Sequence, residues 1–161
     1  MVQQTIHERA RPIAIGAEGP REFFLIHGYT GSPSDFNHLP ALLHDRFEAR
    51  VYAPRLVGHG TRVEDLSPLR LTDFIANAEH ELRATLRQGK RIVIGGHSFG
   101  GQLALFLAAR YPVSAVFATA LPYRLRFPLW LPGMGLVAKL RPAWPKRLPR
   151  AELAERAHAF H

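Results

Sequence analysis

The stretch Arg91-Ile92-Val93-Ile94-Gly95-Gly96-His97-Ser98-Phe99-Gly100-Gly101 decides how the rest of the chain is read. Arg91 to Gly95 is short and apolar inside, the pattern of a strand buried on both faces. From Gln102 to Arg110 the pattern is helical, and Tyr111-Pro112 ends it. Between strand and helix stands Gly96-His97-Ser98-Phe99-Gly100, of the form G-x-S-x-G. A serine hydroxyl is a weak nucleophile unless it is exposed at a fixed angle beside a base. A strained strand-to-helix turn provides that exposure, and the flanking glycines let neighbouring backbone pass close by. The start of the following helix adds a field that favours developing negative charge. Ser98 is therefore the candidate nucleophile. His97, its sequence neighbour, is expected to point away from the hydroxyl at so tight a turn.

Working outward, Glu22 to Ile26 is a second doubly buried strand, and it runs into His27-Gly28-Tyr29-Thr30-Gly31. Acyl transfer needs two N–H donors aimed at the oxyanion. The backbone N–H of Phe99, next after the nucleophile, supplies one, and the N–H of Tyr29 is the candidate for the other. Taken alone, His27-Gly28 reads equally well as a simple turn; the serine motif favours the oxyanion reading. Further strands are expected at Ile13 to Ile15, Ala49 to Pro54 and Val113 to Thr119. Ser32 and Asp35 form a capping-box pattern before a short helix carrying Phe36, Leu39, Leu42 and Leu43. Thr72 is placed to cap a longer helix with Ile75, Ala78, Leu82 and Leu86 on one stripe, stopped at Gly89. Strands alternating with helices predict an α/β fold, a mostly parallel sheet with helices on both faces.

Three segments, FLIHGYTGSPSDF from Phe24, APRLVGHG from Ala53 and RIVIGGHSFGG from Arg91, occur in this order. Together they resemble the α/β-hydrolase fold, in its carboxylesterase and monoacylglycerol-lipase-like branch, which includes sequences labelled serine aminopeptidase. The resemblance runs from Phe23 to Leu121, and more loosely over the Pro-rich segment that follows, where such enzymes insert a cap. It implies an N-terminal part of the hydrolase core over residues 1–121 and an incomplete cap or lid over 122–161. It also implies Ser98 as nucleophile, Tyr29 and Phe99 as backbone oxyanion donors, and a structural role for His59 in the GHG loop. The implied activity is a serine hydrolase cleaving short- or medium-chain acyl esters or monoacylglycerols through an acyl-enzyme, with no metal and no organic cofactor.

A triad in this fold runs serine, acid, histidine along the chain. All four aspartates (35, 45, 65 and 73) precede Ser98. After it only Glu152, Glu155, His158 and His161 satisfy the order, and they read as the solvated face of one helix. The expectation is a chain that lacks the triad acid and base, because it is cut short, because a second chain completes its sheet, or because it is a non-catalytic relative. Truncation is favoured, since the last residues break off inside a helical pattern.

Composition narrows the classes further. The chain has 161 residues, no cysteine and a formal charge of +8, which removes thiolate chemistry and disulfide frameworks. The charge is uneven: residues 1–120 hold 13 Lys+Arg against 11 Asp+Glu, whereas residues 121–161 hold 8 against 2. Six prolines (122, 128, 132, 142, 145 and 149) interrupt that basic tail, and its aromatic residues lie among prolines and leucines rather than in a basic stripe. Nucleic acid is thus not the expected partner. An alternative function is a non-catalytic protein using the basic, aromatic cap on an anionic membrane surface or a partner. The start, MVQQTIHERARP, has charge where a signal peptide is apolar, and a cytoplasmic protein is expected.

Overall fold

The computed structural model describes residues 6–17 and 19–122. Its centre is a five-stranded sheet made of β1 (Ile13–Ile15), β2 (Arg21–Ile26), β3 (Arg50–Ala53), β4 (Arg91–His97) and β5 (Ala115–Thr119), in the order β1-β3-β2-β4-β5. Only β1 runs antiparallel, pairing Ile13 with Ala53, while β3, β2, β4 and β5 are mutually parallel. This is the expected mostly parallel α/β sheet.

Helices cover both faces because the central strands are apolar on both. On one face Phe24, Ile26, Ile92 and Ile94 pack with α2 (Leu71–Leu86) and α3 (Phe99–Ala108) through Ala78, Leu82, Leu103 and Leu107. On the other, Phe23, Leu25, Val51 and Ala53 pack with α1 (Leu39–Phe47) through Leu43. Phe24, Leu25, Ile26, Ile92 and Ile94 are all fully buried. At roughly 1.5–3 kcal/mol for each large apolar side chain, these two adjacent strands anchor the sheet.

Three local expectations are corrected. The capping box belongs to a separate 3-10 turn, Pro33–Phe36, where the Asp35 carboxylate accepts the Ser32 N–H at 3.2 Å. Asn37 then takes a positive φ of 48°, so α1 starts afresh at Leu39, and Leu42 stays 61% exposed. Thr72 lies inside α2; Asp73 makes the cap instead, its carboxylate accepting the Arg70 N–H at 2.7 Å. The helix after the serine begins at Phe99 rather than Gln102, with Gly100 and Gly101 buried in its first turn. The segment 123–161, with the expected cap, Glu152, Glu155, His158 and His161, lies outside the described residues.

Parallel strands bring their C-terminal ends to one side of the sheet. Ile26 and Gly96 are register partners, so the two Gly-rich loops leave the sheet side by side. Loop ends at this edge are where open α/β sheets place their ligands.

Candidate active site

Ser98 sits between β4 and α3 with φ 54° and ψ −120°. A positive φ is uncommon for a residue with a Cβ and carries strain of order 1–3 kcal/mol. The surrounding packing holds it there. The Ser98 N–H donates to the Thr119 carbonyl at 2.9 Å, and the Ser98 carbonyl accepts from the Gly101 N–H at 2.9 Å. A Cβ on Gly96 would stand 2.1 Å from the Gly100 carbonyl oxygen. One on Gly100 would stand 2.0 Å from the Ile26 carbonyl oxygen. Both glycines of the motif are therefore demanded by close backbone approach.

The loop after β2 lies against this turn. A Cβ on Gly28 would be 3.5 Å from the Ser98 Cβ and 3.4 Å from the His97 carbonyl oxygen. Among the described residues no hydrogen bond uses the N–H of Tyr29 or of Phe99. The neighbouring N–H groups are committed: Thr30 to His59 Nε2 at 3.1 Å, and Gly31 to the Gly28 carbonyl at 3.1 Å.

His97 stands directly before the serine, at the end of β4. Its Nδ1 lies 3.1 Å from Thr119 Oγ1, which turns the ring toward the end of β5. His59 is buried and bonded through both ring nitrogens, to Thr30 N–H and the Val57 carbonyl, so its place is in the framework. His27 is likewise buried and bonded, and burial pushes its pKa down to about 4.

Around the serine stands an aromatic cluster. Tyr29, half exposed, meets His59, Phe74 and Phe99 edge to face with ring centroids 5.8, 5.9 and 6.1 Å apart. Phe74 and Phe99 meet at 5.6 Å. Such pairs add about 0.5–1.5 kcal/mol beyond burial and fix ring positions. Phe74 was not singled out from sequence; its signal was a place on the buried face of α2, shared with Ala78 and Leu82. Thr119 was also missed, since its role depends on the parallel pairing of His97 with Thr119.

Comparison with known proteins places these features. The model of the alpha/beta hydrolase family matches residues 23–161. A thermostable monoacylglycerol lipase from Bacillus sp. (strain H-257) is 35% identical over 107 residues, 63% of this chain and 42% of its own length. Lipase 3 from Moraxella sp. (strain TA144) is 29% identical over 89 residues, 55% of this chain and 27% of its own. The chain thus spans less than half the length of these relatives. A solved structure for LipS and LipT, two metagenome-derived lipolytic enzymes, superposes with a TM-score of 0.68 at 23% identity, over 90% of this chain and 56% of that one. With a serine on a strained strand-to-helix turn, a sheet of this order and a family model covering most of its length, the chain belongs to the alpha/beta hydrolase family.

Proposed function

We propose that the protein to which this chain belongs is a serine hydrolase of carboxylic esters, with short- or medium-chain acyl esters or monoacylglycerols as substrates. The observation that carries this reading is the backbone of Ser98, held at φ 54° beside two N–H groups that no hydrogen bond uses among the described residues. Strain of this kind persists only where the surroundings enforce it. The lipase relatives support ester hydrolysis in general, and a small-molecule ester or lipid as the substrate class.

In the reaction Ser98 Oγ attacks the ester carbonyl carbon and gives its proton to a base. The carbonyl oxygen becomes the oxyanion of a tetrahedral intermediate, accepting hydrogen bonds from the Tyr29 and Phe99 N–H groups. Each such donor is worth roughly a hundredfold to a thousandfold in rate. Collapse breaks the bond to the alcohol oxygen, which leaves with the proton, and the acyl group remains on Ser98. Water then adds to the acyl-enzyme, releasing the carboxylic acid and restoring the hydroxyl. The base is not His27 or His59, whose ring nitrogens are held by backbone, and His97 faces Thr119. The proposal includes a division of the chain into hydrolase core (1–121) and cap or lid segment (122–161).

A fluorophosphonate probe tests the reading. Covalent labelling of the chain at Ser98, lost in Ser98→Ala, is the expected result. Background labelling of folded protein would overturn a competent serine in this chain.

A further inference from the structure

Two buried histidines stand beside the acyl-transfer chemistry without taking part in it. His27 closes β2 and His59 lies in the loop after β3; they are 0% and 1% exposed. Each ring spends both nitrogens on backbone, and with the same polarity. The Leu56 N–H donates to His27 Nε2 at 3.1 Å, and His27 Nδ1 lies 3.0 Å from the Gly28 carbonyl oxygen. The Thr30 N–H donates to His59 Nε2 at 3.1 Å, and His59 Nδ1 lies 3.0 Å from the Val57 carbonyl oxygen. An amide N–H has a proton to give and none to take. In both rings, then, Nε2 is the lone-pair nitrogen and Nδ1 carries the hydrogen.

The connections are reciprocal. His27 belongs to the β2 loop and holds the β3 loop at Leu56; His59 belongs to the β3 loop and holds the β2 loop at Thr30. The rings meet edge to face at 4.9 Å. What they bracket is the Gly28–Tyr29 peptide. A trans peptide is planar, with its C=O and N–H pointing in opposite directions. The Gly28 oxygen accepts from His27 Nδ1–H and from the Gly31 N–H at 3.1 Å, so the N–H of Tyr29 in the same plane must face the other way.

We propose that His27 and His59 are positioning residues for the oxyanion hole. His27 pins the Gly28–Tyr29 peptide by its carbonyl, and His59 pins the next peptide by the Thr30 N–H. Tyr29 N–H is thereby set in one orientation before any substrate arrives. The proposal rests on the reading of Tyr29 N–H as an oxyanion donor given above.

The device works only with neutral rings, because a proton on either Nε2 would meet an N–H donor head on. Burial is the main force keeping both rings neutral, lowering His27 to about 4 and lowering His59 as well. The charged groups facing the pair are Asp35, which favours a proton, and Arg55, which opposes one; a charge on His59 also opposes one on His27. Arg55 is itself fixed, its Nη1 donating to the His59 carbonyl at 2.7 Å.

The test uses paired substitutions in the full 161-residue chain. Asparagine carries an amide N–H where histidine has Nδ1, and glutamine carries an acceptor where histidine has Nε2. For His27 the critical contact is through Nδ1, so His27→Asn should keep the Tyr29 amide resonance near its wild-type position and His27→Gln should move it. For His59 the critical contact is through Nε2, so the order reverses, with His59→Gln preserving what His59→Asn loses. Labelling of Ser98 by a fluorophosphonate should follow the same crossed order, the disrupted variants slower by on the order of tenfold to a hundredfold. Imidazole 15N shifts of the wild type should show both rings as Nδ1–H, with His27 still neutral at pH 5. A purely structural role predicts the same order at both positions; that result, or an Nε2–H tautomer in either ring, would overturn the proposal. If the wild type does not label at all, the hydrolase reading of this chain fails, and the positioning role is decided by the Tyr29 resonance and the tautomers. The tautomer measurement needs no substitution, so it decides the matter even where a variant does not fold.

Discussion

The two ends of the parallel sheet are built on opposite terms. At the N-terminal end of the strands Glu22 is buried and paired with two cations, Oε2 lying 2.8 Å from Arg50 Nη1 and 3.0 Å from Lys90 Nζ. The nearby hollow of about 390 Å³ is lined by Phe23, Phe47, Ala49 and Val93, with Arg21 and Arg91 at its sides. At the C-terminal end the polar groups are histidines that burial keeps neutral, the backbone is strained at Ser98, and two N–H groups have no hydrogen bond among the described residues. One end spends its polar groups on holding strands together. In the proposed function the other end gives up stability to leave donors and a hydroxyl for an external group, a pattern expected of a functional site.

The largest effect that would break this contrast is at the elbow. In Gly100→Ala the new Cβ meets the backbone of β2, which cannot yield as a side chain could. A loss of about 4 kcal/mol or more is expected in urea unfolding, together with loss of Ser98 labelling. Glu22→Ala, at the opposite end, removes the carboxylate shared by Arg50 and Lys90 and should cost about 3 kcal/mol. Labelling of the protein that remains folded should be unchanged, because this end does not touch the site.

Acid sharpens the same division. An unfolded histidine takes up a proton below about 6.5, while buried His27 stays neutral down to about 4. Between those values the unfolded state binds more protons, so stability rises with pH and is lost as pH falls through the window. At roughly 1.4 kcal/mol per unit the loss attributable to His27 is at most about 3 kcal/mol. Thermal melts from pH 7 to 4 should show it, with a shallower slope in His27→Gln. Ser98→Gly relieves the positive φ and should stabilise the fold by about 1 kcal/mol while abolishing labelling; equal or lower stability would mean that the turn is not strained. The smallest effect is expected for Arg62→Ala, whose pair with Glu64 at 3.6 Å is exposed on both sides. Its unfolding midpoint should correspond to a change below about 0.5 kcal/mol.

The strands and the serine turn were legible in the residues because their signals are local. Runs such as Phe23 to Ile26 need only neighbours to be recognised, and the glycines around Ser98 are required by a turn of five residues. Helix starts were less legible. Thr72 has the right chemistry for a cap, yet Asp73 at the third helical position reaches the Arg70 N–H and moves the start forward. The stripe of α2 is similarly turned, with Phe74, Ala78, Leu82 and Thr85 innermost and Ile75 and Leu86 at its margin.

The amino-acid order by itself therefore determined the fold class, the serine and the loops that could face it, since periodicity and close-packed glycines are properties of short segments. Tertiary structure decided how those loops are held. His27 meets Leu56 and His59 meets Thr30 across 29 residues of sequence in each case, and Ser98 reaches Thr119 across the sheet. Hydrogen-bond partners so far apart are set by strand order and register, which exist only once the sheet has formed.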